Sequence, residues 1–260
     1  MSNHRGWGTF WGEPLTFWGG LLTESWVVVG VIFVASLIQG TTGFGFGLFS
    51  MGILAMMMPV PEAAVIVAIL GLVTTLMNVG SVWRAVPWKE LWPVVAAAAP
   101  MTLLGVYLLK VLDPAILRAA VGAMILIGSG ITVWSPHKAR LQKAMPWGYI
   151  AGAIGGLFGG AINMGGPPVV LYSLLRGWEK ETAKAEMSSY ILATSVIRVA
   201  GQIAAGIATP ALLMRSLWLS IPTVLGCYVG TRLFGRMSNR AFRYATTAIL
   251  VALAVRLFFT

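Results

Sequence analysis

Between Gly155 and Pro168 the chain reads GGLFGGAINMGGPP, fourteen residues with six glycines and two prolines set between strongly apolar flanks. In a soluble protein such a stretch is a loop. Here apolar sequence runs up to it and away from it, so it reads as broken backbone at membrane depth. Lipid offers no hydrogen bonds to bare N–H and C=O groups, so broken backbone persists there only where protein buries it or a cavity lies against it. A second stretch of the same kind, QGTTGFGFG, spans Gln39 to Gly47. The two interruptions are expected to face each other near the middle of a membrane.

Composition agrees with that setting. The chain is 58% hydrophobic and only 10% charged, against roughly 25% charged in a soluble domain. Apolar tracts fill nearly everything after Trp26, which implies one polytopic membrane domain. The formal charge is +10, but the basic residues fall mostly between apolar segments, as in cytoplasmic loops, and nucleic-acid binding is not expected. The single cysteine, Cys227, excludes an internal disulfide and a multi-cysteine metal site. His4 and His137 lie outside the apolar segments, and no lysine sits mid-segment. A haem ligand, a Ser–His protease, a metal cluster and a retinal Schiff base therefore lack candidates. No catalytic residue, metal or cofactor is expected, and the chain does not read as an enzyme. Residues 1–25 show no cleavable signal peptide; Trp7, Trp11, Trp18 and Trp26 punctuate a Gly-rich lead-in expected to lie along the interface.

In order, apolar segments run Trp26–Ile38, Leu48–Met58, Glu62–Trp83, Leu91–Leu109 and Ala115–Trp134, and then Trp147–Phe158, Val169–Leu175, Thr182–Ala208, Leu212–Phe234 and Phe242–Phe259. The second set repeats the first. At an offset of 120, Gly40 matches Gly160, Gly45 matches Gly165 and Thr74 matches Thr194; at 125, Gly105 matches Gly230 and Arg118 matches Arg243. The expected organisation is an interfacial segment (1–25), a first repeat (26–134), a basic cytoplasmic connection (135–146) and a second repeat (147–260).

A helix needs roughly 20 residues to cross the hydrocarbon layer. The segments flanking each break are shorter, so each pair reads as a re-entrant helical hairpin followed by three long transmembrane helices. Three crossings, or five if the short helices also cross, is an odd number, so the second repeat enters inverted. The fold class is thus an all-α polytopic membrane protein of two inverted repeats, a common transporter plan. Twelve of the eighteen Lys and Arg residues, Lys138, Arg176, Lys180 and Lys184 among them, collect on one side and five on the other. By the positive-inside rule the first side is cytoplasmic and both termini are outside.

The remaining basic residue, Arg198, sits near the centre of its long segment. An arginine at bilayer depth costs about 2.5–3.5 kcal/mol on insertion scales. Glu186 lies twelve residues earlier, about 18 Å along a helix, and no carboxylate is read mid-segment. A guanidinium in that position suits an oxyanion; alternatively it pairs with hairpin carbonyls and braces the fold. In each hairpin the second helix begins at the tip, so its free N–H groups and positive dipole end face the midplane. The candidate anion contacts are Gln39, Thr41, Thr42 and Gly43 at the first tip, Asn163, Gly165 and Gly166 at the second, and Arg198. Gln202, one turn past Arg198, and Asn78, which matches Arg198 in the first repeat, are weaker candidates. The bland reading of the glycines is close helix packing, which is compatible with ligand contact.

These motifs, GTTGFGFG and GGLFGGAINMGGPPVVLY, resemble those of the sulfite exporter TauE/SafE family, also called the 4-toluene sulfonate uptake permease family, and the likeness spans about Val27 to Phe259. The resemblance implies a bacterial inner-membrane carrier of sulfite, organosulfonates or a related small sulfur oxyanion or organic acid. The expected mechanism is alternating access. Export is favoured because a monoanion leaving an inside-negative cell gains about 2.3 kcal/mol per 100 mV, and a proton relay has no mid-segment carboxylate to use. An importer coupled to protons or sodium, a channel-like conduit and an assembly factor are the alternatives. The expected partners are that anion and the lipid bilayer; pairing into a homodimer is left open.

Overall fold

The computed structural model describes residues 14–133, 141, 145–236 and 238, with side chains from Trp26 onward except at 128–133. Those residues are helical: α1 Pro14–Thr42, α2 Phe46–Met57, α3 Val60–Val82, α4 Trp88–Val111, α5 Pro114–Val133, α6 Trp147–Ile162, α7 Gly166–Arg176, α8 Lys180–Ala204 and α9 Pro210–Arg236. A 3-10 turn, Trp83–Ala85, extends α3. Among the described residues, Val60–Ala85, Trp88–Val111 and Pro210–Arg236 are long and apolar enough to cross a membrane. The outer faces of α4 and α9 present Tyr107, Leu217, Trp218 and Leu225 uncovered, as lipid-facing surfaces do.

Nine of the ten expected segments have their helix among the described residues, with one correction. The breaks are shorter than the glycine runs: α1 extends through Gly40 to Thr42 and α6 through Gly160 to Ile162. Residues 14–25 are helical and continuous with the rest of α1. Each break is reduced to three residues, Gly43–Gly45 and Asn163–Gly165. The final apolar segment, Phe242–Phe259, and most of the basic connection lie outside the described residues.

Close packing explains why helix survives the glycines. α4 lies along α6 and α9 along α1. Gly152, Gly156 and Gly160 are spaced four apart on α6, and a Cβ on any of them would collide with the carbonyl oxygen of Val94, Ala98 or Thr102 on α4, themselves spaced four apart. Equivalent positions make equivalent contacts. A Cβ on Gly105 would strike the Leu157 carbonyl, and one on Gly230 would strike that of Leu37. Gly156→Val is expected to cost about 1–3 kcal/mol or more through overpacking, read as a lower melting temperature in detergent. Gly80→Ala, where nothing lies within 4 Å of an added Cβ, leaves that temperature unchanged or raises it.

Candidate functional site

The two breaks meet. A Cβ on Gly47, in the first turn of α2, would collide with the carbonyl oxygen of Asn163, and one on Gly166 would lie 3.6 Å from the Phe44 ring. Both tips turn at the same repeat position with left-handed backbone: Gly43 has φ 84° and Asn163 has φ 59°. Glycine pays no steric penalty there, and asparagine is among the few other residues that adopt the conformation readily.

Between the tips lies a cavity of about 30 Å³. Its wall includes Gln39, Gly45, Phe46, Gly47 and Leu48 from the first tip, Gly159 and Asn163 to Gly166 from the second, Val67 and Gly71 from α3, and Tyr190, Ile191, Thr194 and Arg198 from α8. Val67 and Gly71 fall near the middle of α3, and Ile191 and Thr194 near the middle of α8. The tips therefore stand level with the centres of both long helices. The volume holds one or two water molecules, so a sulfur oxyanion enters only if the tips part.

Arg198 is buried, 4% exposed. Its Nη1 donates to the Gly159 carbonyl at 3.1 Å and its Nη2 to Ser195 Oγ at 2.7 Å, while Nε has no partner. The two ion pairs among the described residues, Arg176–Glu90 and Lys180–Glu181, do not involve it. Asn78, its match in the first repeat, makes the matching bond, donating through Nδ2 to the Gln39 carbonyl at 2.8 Å. The two bonds thus hold the ends of α1 and α6 in the same way. Only the second does so with a charged group that also reaches the cavity.

The other candidates divide. Gln39 accepts the Phe46 N–H at 3.1 Å through Oε1, capping α2, and the next residues, Gly47 and Leu48, are on the cavity wall. Asn163 donates through Nδ2 to the Ala64 carbonyl at 2.8 Å, leaving Oδ1, an acceptor, unpartnered. Thr41 and Thr42 are turned to their own helix: Thr41 Oγ1 donates to the Leu37 carbonyl, and Thr42 Oγ1 to those of Ile38 and Phe44. Neither they nor Gly43, Asn78 or Gln202 are on the cavity wall. Gln202 is buried with both amide atoms unpartnered. The dipole argument also needs correction at the second tip. Gly165 caps α7, whose sequence begins Gly166-Pro167-Pro168, and proline has no N–H to offer. Backbone donors for an anion therefore come chiefly from α2.

Two charged residues of the stretch RGWEKETAKAE (176–186) are buried in α8. Lys184 is fully buried; its Nζ donates to the Gly40 carbonyl at 2.5 Å near the end of α1 and lies 4.0 Å from the centre of the Phe234 ring. A cation at a helix C-terminus is favourably placed. Lys184 therefore ties α8 to the end of α1 and does not lie in a loop between segments. Glu186 is also fully buried, so a carboxylate does lie inside the bundle. The sequence reading missed Tyr190 and Thr194 as well. They stand eight and four residues before Arg198, and helical spacing from Arg198 was the signal that could have found them.

An all-helical membrane protein that encloses a small polar cavity between two broken helices belongs, as a class, with membrane transporters. The chain belongs to the sulfite exporter TauE/SafE family, whose sequence profile matches residues 28–257. It is a transporter and not an enzyme. It is 23% identical over 219 residues to a protein of Cupriavidus necator (strain ATCC 17699 / H16) named "Probable sulfite/organosulfonate exporter TauE", covering 80% of this chain and 82% of that one. No solved structure gives a significant match.

Proposed function

We propose that this protein exports sulfite, an organosulfonate or a related small sulfur oxyanion by alternating access, holding the anion between the two hairpin tips and Arg198. The observation that carries the reading is the contact of the two tips beside a guanidinium that has no carboxylate partner. A charged donor of that kind is best satisfied by an oxyanion. Gln39, whose Oε1 is taken by Phe46, and the Gly47 and Leu48 amides supply further donors. The name of the Cupriavidus necator relative supplies the substrate class.

The two repeats are inverted copies in this reading, and the tips are re-entrant. Matching contacts support the first point: Asn78 to Gln39 with Arg198 to Gly159, and Gly105 on Leu157 with Gly230 on Leu37. Length supports the second. α2 has 12 residues and α7 has 11, about 18 Å each or a little less, which is near half of the ~30 Å hydrocarbon layer. Rocking of one repeat against the other parts the tips and opens the cavity to each side in turn. The positive-inside count, less Lys184, still places both termini outside. The resting potential favours outward movement of a monoanion by roughly fifty-fold per 100 mV.

Purified protein in proteoliposomes is expected to show saturable sulfite efflux. In detergent, sulfite or a sulfonate at a hundredfold excess over its Kd is expected to stabilise the fold by about 2.7 kcal/mol, seen as a rise in melting temperature, with carboxylates giving less. Unitary conductance steps without saturation would replace this reading with a conduit. No flux and no stabilisation by any sulfur oxyanion would remove transport of that class altogether.

A further inference from the structure

Glu186 is fully buried in the first half of α8 and, among the described residues, is paired with no cation. Its Oε2 accepts a hydrogen bond from Ser173 Oγ of α7 at 2.7 Å, and its Oε1 has no partner. The nearby cations are engaged elsewhere. Arg176 holds the Glu90 carboxylate with two bonds, of 2.9 and 2.6 Å, and Lys184 is directed to the Gly40 carbonyl of α1. The groups that face Glu186 add no positive charge. Tyr172 and Ser173 come from α7 and Glu90 from α4, and Tyr190 lies one turn on along α8. α6 carries no charged residue, and the one charged residue of α3, Glu62, is exposed in its first turn; Lys89 and Lys110 of α4 and Arg84 of the 3-10 turn packed on α8 are exposed as well. A bare carboxylate in such a place is costly, and the usual resolution is to take up a proton.

Glu186 also shares a face with the anion site. Glu186, Tyr190, Thr194 and Arg198 are spaced four apart on α8, so they form one stripe. Tyr190, Thr194 and Arg198 line the cavity. The Tyr190 hydroxyl is buried without a partner, within electrostatic range of both Arg198 and Glu186. Gly155 makes room for it, since a Cβ there would lie 2.5 Å from that oxygen. Beyond Glu186, away from the cavity, stand the Tyr172 hydroxyl, also unpartnered, and the partly exposed Glu90–Arg176 pair.

We propose that Glu186 is a proton-binding site coupled to the anion site through Tyr190, so that the anion crosses the membrane together with a proton. The proposal rests on the transport reading above. Arg198 lies about 18 Å from Glu186 along α8, so the link between them is Tyr190, which is within electrostatic range of both. A bound anion adds negative charge at the Arg198 end of that link, and Glu186 then holds its proton; once the anion leaves, the proton can follow. Anion and proton therefore load together from one side and leave together on the other. For a monoanion the moving charge is then zero, so the voltage drive available to a lone anion no longer acts, and the anion's own accumulation and the pH difference set the direction. This revises the sequence expectation that a proton had no carboxylate to use.

The test uses the wild-type protein in vesicles loaded with methanesulfonate, an anion that carries no proton of its own, with the voltage clamped at zero by potassium and valinomycin. Labelled efflux and an internal pH dye are read together. Wild type is expected to alkalinise the interior in step with efflux, and Glu186→Gln to lose the alkalinisation. Efflux from wild type with no pH change overturns the proposal while leaving the transport reading standing, and so does alkalinisation that persists in Glu186→Gln. The wild-type result decides alone should that variant fail to fold. Absence of both sulfite and methanesulfonate efflux from wild type fells the transport reading and the proposal with it.

Discussion

Replacing Arg198 with alanine lowers sulfite flux in proteoliposomes by roughly 10- to 150-fold, the worth of one charged hydrogen bond at about 1.5–3 kcal/mol. The same change strips the Gly159 carbonyl of the bond it accepts at 3.1 Å, so some thermal stability is lost too. Arg198→Gln separates the two effects. Glutamine can still donate to Gly159 and brace α6 as Asn78 braces α1, but it has no charge for an anion. The account expects this variant to melt near the wild-type temperature and still to transport poorly. Near-normal flux in Arg198→Gln would make Arg198 a brace and nothing more. Arg198→Lys keeps the charge without the planar fork and should fall between the two.

Gly47→Val is expected to abolish flux by wedging the tips apart. The added Cβ points at the Asn163 carbonyl, which belongs to the opposite tip and cannot step aside as a side chain would. Overpacking of this kind costs about 1–3 kcal/mol. It also displaces the first turn of α2, which holds the Gly47 and Leu48 amides against the cavity. Gly166→Ala is the contrasting change, since its Cβ meets the Phe44 ring at an ordinary 3.6 Å, and its melting temperature should stay near that of wild type. Equal flux and equal melting temperature for Gly47→Val and wild type would mean that the tips do not work as a closed pair.

Much of this was legible in the sequence because helices and their interruptions are local. Eight of the ten apolar segments fall on helices to within a few residues, and the positions that turn, Gly43 and Asn163, are types that tolerate left-handed backbone. Arg198 stood out because no carboxylate was close to it in sequence, and no ion pair holds it in the structure. The offset that pairs Asn78 with Arg198 anticipated a shared position, and the shared bond to a hairpin carbonyl bears on it directly.

What sequence could not reach depends on which neighbour a residue meets. Whether Gly156 belongs to a break or to a helix is decided by the Ala98 carbonyl on α4, which no local pattern discloses. RGWEKETAKAE looks like a charged turn because six of its eleven residues are charged. Glu179 and Glu181 are indeed exposed, while Lys184 and Glu186 point inward on the first turns of α8. Likewise the donor count at the second tip was readable from Pro167 and Pro168. Only the boundary of α7 at Gly166, however, shows that they occupy its first turn.

Equilibrium binding of labelled sulfite to the detergent-purified protein, without oxygen, tests the central assignment most directly. Wild type should show a single saturable site that sulfonates compete for, and Arg198→Gln should lose it while remaining folded. Undiminished affinity in Arg198→Gln would place the anion elsewhere and contradict the account.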